Sequence, residues 1–285
     1  RILNNRYIRK ILKEILMKRI LSFVMALFFI TSCATLTSTK YDPVLIPESM
    51  ESQMGLATKA QVDVQYKALA NTTVQSYVSA LGNKLAAKSE RSTLKYTFTV
   101  VDSAEINAFA VPGGFVYVTS GIIKNLNDEA QLSAVIGHEI GHIAKKHSVK
   151  QMQRQLVAQY GLAYVENMMS KGEEGASKSQ IASMVSAIGL NFLFAKNSRE
   201  NEFEADEQGA FLSSAAGYDP KAMIDVQELL LKLRASKPGM LEQMLSTHPI
   251  SEERIAHAGE YISAQGLAST ARNKTAFDKI KAAIK

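Results

Sequence analysis

The stretch NDEAQLSAVIGHEIGHIAKKH, Asn127 to His147, decides how the rest of the chain is organised. Asn127, Asp128 and Glu129 place capping and acidic groups at its start, and Lys145, Lys146 and His147 place basic groups at its end, the polarity that a helix dipole favours. On a helix advancing about 100° per residue, His138 and His142 fall within about 40° of each other, and Glu139 lies about 60° from His142. Two imidazoles one turn apart can reach one zinc ion, whose nitrogen ligands sit at about 2.0–2.1 Å. Glu139 then stands beside water whose pKa such an ion lowers from about 15.7 toward about 7, where a carboxylate can take its proton. Gly141, between the histidines, lets another segment approach the helix closely, although glycine costs about 1 kcal/mol of helix propensity. A solvated amphipathic helix is the bland alternative, and chance rarely builds HEIGH in a chain with 5 His.

A catalytic zinc needs a third protein ligand and an open fourth position. Cys33 is the only cysteine and lies far away in sequence, so the candidates are His147, His248, His257 and the acidic run Arg199 to Asp206. On a helix Glu202 and Asp206 share a face, with Glu200 and Glu204 about 160° away. Glu202 as ligand, with Asp206 holding an imidazole N–H, is chemically coherent. Spacing leaves the Glu200 and Glu204 face equally open.

Working outward, the apolar spacing of Val74, Tyr77, Val78, Leu81 and Leu85 predicts a helix over Thr72 to Lys88 behind Asn71, preceded by another over Val62 to Ala70. Leu94 to Val101, Ile106 to Val111 and Phe115 to Thr119 predict strands, the last two joined by a Pro112-Gly113-Gly114 turn. Gln151 to Ser170, Ser177 to Ala195, Ser198 to Ala216, Ser251 to Ala264 and Thr275 to Ile284 predict helices. The fold class is α+β, mostly helical, with a small sheet beside the His138–His142 helix and no internal repeat.

The net charge of +6 sits at the front: residues 1–32 carry seven basic side chains against Glu14, which accounts for all of it. The remainder is balanced, so no nucleic-acid partner is implied. Lys18 and Arg19, the apolar run Ile20 to Ile30, and Thr31 and Ser32 before Cys33 form a lipoprotein-type signal with Met17 as its natural start and residues 1–16 upstream of it. An apolar run this short does not span a bilayer as a stable helix. Cys33 is then the lipidated residue; a plain secretory leader or an uncleaved anchor is the alternative. Residues 34–55, rich in Thr, Ser and Pro, read as a flexible tether, and 56–285 as one domain. A mature part without further thiols suits an oxidising compartment.

Several motifs in one order resemble the HtpX-like and CAAX-protease-like gluzincin family, the forty-eighth of the metallopeptidase families. They are Asn107 to Gly114, Val118-Thr119-Ser120-Gly121, His138 to His142, Arg199 to Asp206, and Thr247-His248-Pro249 followed by Arg254. The resemblance implies a zincin-like domain with one Zn2+ per chain held by His138, His142 and Glu202, Glu139 as general base and Asp206 behind a ligand. It also implies that His248 approaches the metal, either stabilising the oxyanion or filling the open position in a latent form; a structural turn residue is the alternative. Zinc peptidases commonly lay an extended polypeptide along an edge strand. Here Phe115 to Thr119, or Asn107 to Val111 with Asn107, Ala108 and Phe109, could serve, with plain core pairing as the alternative. No run between residues 151 and 195 is apolar enough for the spanning helices of membrane-embedded relatives.

The expectation is a lipid-anchored endopeptidase of the bacterial envelope, facing the periplasm from the outer membrane. Its substrates would be damaged or misassembled envelope proteins. The rivals are a chaperone-like outer-membrane assembly factor with a latent zinc site, and a structural metal protein.

Overall fold

Caps and apolar spacing set the helices of the computed structural model, which describes residues 43–171 and 177–284. The leader, Cys33 and the tether as far as residue 42 lie outside the described residues. The expected tether is shorter than predicted: helix α1 spans Glu48–Gln65, because Met50 and Met54, one turn apart, are fully buried. The chain then departs from the helix predicted to Ala70, and Leu69 N–H donates to Val100 O at 2.9 Å. Helix α2 (Thr72–Ala86) starts as its sequence predicts, Asn71 Oδ1 accepting from Val74 N–H at 3.1 Å.

Strands β1 (Thr97–Val101), β2 (Ala108–Val111) and β3 (Phe115–Thr119) form a sheet of order β1-β3-β2, parallel between β1 and β3 and antiparallel between β3 and β2. The β2–β3 turn needs glycine twice, since Gly113 and Gly114 have φ of +83° and +98°. Alternation sends Ala108, Ala110, Val116 and Val118 into one core and Phe109, Val111 and Tyr117 into another, packed against α1. β3 is paired on both sides, so Phe115 to Thr119 cannot be the free edge. Of the two candidate strands, β2 is the one at an edge. Asn107 O accepts from Thr119 N–H at 3.0 Å, which turns the N–H and C=O of Ala108 and Ala110 outward.

After the short α3 (Ser120–Asn125) comes α4 (Glu129–Ala144), capped by Asp128, whose Oδ1 accepts from Gln131 N–H at 2.9 Å; every residue from Glu129 to Ile143 is buried. The basic end differs from expectation. Lys146 takes φ +57°, and His147 opens a new helix, α5 (His147–Tyr160). Gly161, at φ +84°, splits the predicted Gln151–Ser170 helix, and α6 spans Leu162–Ser170. Helix α7 (Lys178–Ile188) ends before Gly189, and α8 (Arg199–Ala215) is capped by Ser198. Helices α9 (Ala222–Ser236), α10 (Pro238–Thr247), α11 (Glu252–Ala264) and α12 (Lys274–Ala283) complete the chain. None of the described helices is long and apolar enough to cross a membrane.

Helices α4 and α8 meet on glycine. A Cβ on Gly137 would lie 3.0 Å from Gly209 Cα, one on Gly141 would lie 2.9 Å from Gln208 Cβ, and one on Gly209 would lie 3.0 Å from His138 N. The approach that the sequence predicts for Gly141 is therefore made by a second helix. Gly209→Val, which must push the pair apart, should cost about 1–3 kcal/mol in urea unfolding and weaken metal binding at the same time. Wild-type stability in that variant would show that the helices have slack.

Candidate metal centre

Three elements converge on one point. Helix α4 contributes His138, Glu139 and His142, α8 contributes Glu202 and Asp206, and the residue ending α10 contributes His248. His138, His142, Glu202 and His248 are all buried and offer ligand atoms within 4.8 Å of one another. His138 Nε2 and His142 Nε2 are 3.0 Å apart, His138 Nε2 and His248 Nδ1 3.3 Å, and His142 Nε2 and Glu202 Oε1 3.4 Å. A tetrahedral ion with bonds of about 2.0–2.1 Å has ligand–ligand edges of about 3.3–3.4 Å, so this donor set has the size and composition of a metal site.

The groups behind the histidines fix their tautomers. Asp206 Oδ1 lies 2.9 Å from His138 Nδ1 and receives its proton. Glu204 Oε2 lies 3.0 Å from His147 Nε2, which donates to it; His147 Nδ1 is therefore an acceptor, and His142 Nδ1, 2.8 Å away, donates. Both Nε2 atoms are left as lone pairs pointing at each other across 3.0 Å, an arrangement that demands a cation. A carboxylate or other acceptor behind a ligating imidazole is the usual device for orienting it.

Arg254 closes the network. Its Nη1 lies 2.7 Å from Glu202 Oε2, while Nη2 and Nε donate to Asp206 at 2.7 and 2.8 Å. Burial pushes the Glu202 carboxyl up, but His248 and Arg254 beside it more than reverse this and hold it well below the usual range. Burial likewise raises Asp206, and Arg254 and His138 bring it below its ordinary value. Burial lowers His142 well below neutrality, which suits a neutral ligand. Glu139 moves the other way: burial raises its carboxyl, only partly offset by His248 and His138. Its Oε1 is 3.9 Å from His248 Nε2.

The two faces left open by spacing are thus separated. Glu202 and Asp206 face the histidines, Glu200 is exposed, and Glu204 reaches the centre only through His147. Asn107, Ala108 and Phe109 lie on or beside β2 and are not among the four clustered residues; Ser148 Oγ, donating to Ala110 O at 3.3 Å, ties that strand to the start of α5. Cys33 lies outside the described residues. The sequence offers His147 only as one of several candidate third ligands and Arg254 only as part of a family motif; neither contact made here is read from it. His147 is five residues past His142, about 140° around a continuous helix, and only the break at Lys146 turns it back. Removing its ring with His147→Ala should weaken metal binding about 10–100-fold in chelator competition. Unchanged affinity would make the His147–Glu204 pair packing alone.

Comparison with known proteins agrees with the geometry. Residues 72–262 match the model of "Peptidase family M48". Relatives include the "Beta-barrel assembly-enhancing protease" of Escherichia coli K12, 27% identical over 73% of this chain and 43% of its own length. The "Metalloprotease YcaL" of the same organism is 30% identical over 70% of this chain and 81% of its own. The "Mitochondrial metalloendopeptidase OMA1" of Arabidopsis thaliana is 32% identical over 59% and 32%. The chain spans less than half the length of the assembly-enhancing protease it matches. With about two thirds of its residues in the family model and a buried cluster of the right donors, the chain belongs to peptidase family M48.

Proposed function

We propose that the chain is a zinc-dependent endopeptidase, with His138, His142 and Glu202 as metal ligands, Glu139 as general base and Asp206 orienting His138. The observation that carries it is the pair of lone pairs His138 Nε2 and His142 Nε2, held 3.0 Å apart beside a buried carboxylate base. Two imidazole nitrogens and one carboxylate, with the fourth position left open, suit a catalytic zinc among the first-row ions. Zinc held there would act as a Lewis acid and lower the pKa of water toward about 7. Glu139 takes the proton of the attacking water and returns it to the leaving amine. His248, whose raised pKa comes from Glu202 and Glu139 overcoming its burial, supplies a hydrogen-bond donor for the developing oxyanion. The outward N–H and C=O of Ala108 on edge strand β2 suit an extended polypeptide, with Asn107 and Phe109 flanking it.

A specific observation favours a second, latent state. His248 Nδ1 also lies 3.0 Å from Glu202 Oε1, in the fourth corner of the cluster, where it would exclude substrate. Zinc content and casein cleavage of the wild type and His248→Ala test both. Zinc with cleavage supports the endopeptidase, and a more active His248→Ala adds the latent state. Zinc without cleavage in either protein would leave the assembly-factor role instead.

The substrate class we infer is damaged or misassembled proteins of the bacterial envelope, supported by the likeness to beta-barrel assembly-enhancing proteases. We further infer a lipid anchor at Cys33, facing the periplasm from the outer membrane, on the leader pattern of residues 17–33. Labelled palmitate entering the wild type but not Cys33→Ser would support the anchor; equal labelling of both would remove it.

A further inference from the structure

Beside Glu139 and His248 lies a cavity whose walls are Val135 from α4, Met223, Val226 and Leu230 from α9, and Met244 from α10. One polar atom in this apolar setting has no partner. Gln227, 3% exposed, donates from Nε2 to Asp206 Oδ1 at 3.1 Å and Oδ2 at 3.3 Å. The carboxylate accepts only, so the amide orientation is fixed and Oε1 points away from Asp206. That Oε1 is buried with no hydrogen-bond donor. A buried carbonyl left unpaired is costly and rare in a native structure, and marks a place where a donor belongs.

We propose that this cavity is a substrate side-chain subsite next to the scissile bond, taking a small branched side chain and accepting a hydroxyl through Gln227 Oε1. Its volume is about 30 Å³. At about 10–15 Å³ for each seated water-sized group, that admits two or three heavy atoms, the size of a valine or threonine side chain. The apolar walls favour the methyl groups, and the two methionines can shift to fit them. An ionised carboxylate is disfavoured by its desolvation against the apolar walls, because Arg254, the cation in the lining, is already paired with Glu202 and Asp206. The subsite rests on the endopeptidase reading only for its position beside the scissile bond; its chemistry is independent of turnover.

Equilibrium binding separates the two. Acetyl-Gly-Gly-X-Gly-Gly-amide peptides, with X as Gly, Val, Thr or Asp, are titrated calorimetrically into zinc-loaded Glu139→Gln protein, in which turnover is slowed about 10²–10⁴-fold. The Val and Thr peptides should bind similarly and about tenfold tighter than Gly, with Asp weakest. In Gln227→Met, which keeps the volume but removes the acceptor, Thr should fall about tenfold behind Val. Leu230→Phe, which fills the cavity from another wall, should bring Val and Thr down to the Gly value. Equal affinity for Gly, Val and Thr would overturn the subsite, and a Val-to-Thr ratio unchanged by Gln227→Met would overturn the role of Gln227. Wild type that cleaves these peptides without preference rejects the subsite and keeps the peptidase. Preference in binding without cleavage does the reverse.

Discussion

Glu139→Gln should lower kcat/KM for peptide hydrolysis by about 10²–10⁴-fold while leaving bound zinc unchanged. The substitution keeps shape and volume, and Glu139 is not among the four residues whose donor atoms cluster. Only the proton acceptor is lost. Its pH signature can be signed. Burial raises the Glu139 carboxyl above its ordinary 4.5. A base with a raised pKa is lost at higher pH than an ordinary carboxylate, so activity should climb with pH through a limb above the usual carboxylate range. The residual activity of the glutamine variant should lack that limb. Rate and zinc content both equal to wild type would remove Glu139 from the chemistry.

Arg254→Met should be the most destabilising single change near the centre, costing about 3–5 kcal/mol in unfolding of the metal-free protein. Arg254, Glu202 and Asp206 are all buried, so deleting the guanidinium removes the cation that both carboxylates share and leaves them only their histidine neighbours. Lysine should rescue little, because a point charge cannot fork to both carboxylates. The two acids also set a pH dependence. Their folded pKa values lie below the ordinary 4.5 and 3.8, so their stabilising contribution is present above those values and is lost as pH falls through the depressed ones. Without Arg254 the depression shrinks, and acid unfolding should begin at higher pH. Wild-type stability at neutral pH would mean that the network carries little energy.

The parts of the site that lie on regular helices were legible before the fold was known. Helical spacing places His138, Glu139 and His142 together, and Asn71, Asp128 and Ser198 cap where their side chains suggest. The Glu202 face was recoverable only through the family resemblance, since both helix faces are acidic. What the sequence concealed depends on breaks and on distance along the chain. The role of His147 follows from a left-handed Lys146, a conformation that lysine seldom adopts and nothing local announces. Arg254 acts across 48 residues and Gln227 across 21, contacts that periodicity does not encode. The edge strand was ambiguous because both candidate strands alternate alike; pairing order alone makes β3 central. Helix α1 began earlier than composition suggests because Met50 and Met54 have a core to enter.

The facing lone pairs of His138 and His142 have a thermodynamic consequence. A proton is the smallest cation that relieves their repulsion, so a proton and a metal ion compete for the same gap between the rings. Metal uptake is then linked to proton release, and the loading of the centre follows the acidity of its surroundings as well as metal supply. In a more acid medium a higher free metal concentration is needed to fill the same fraction of sites.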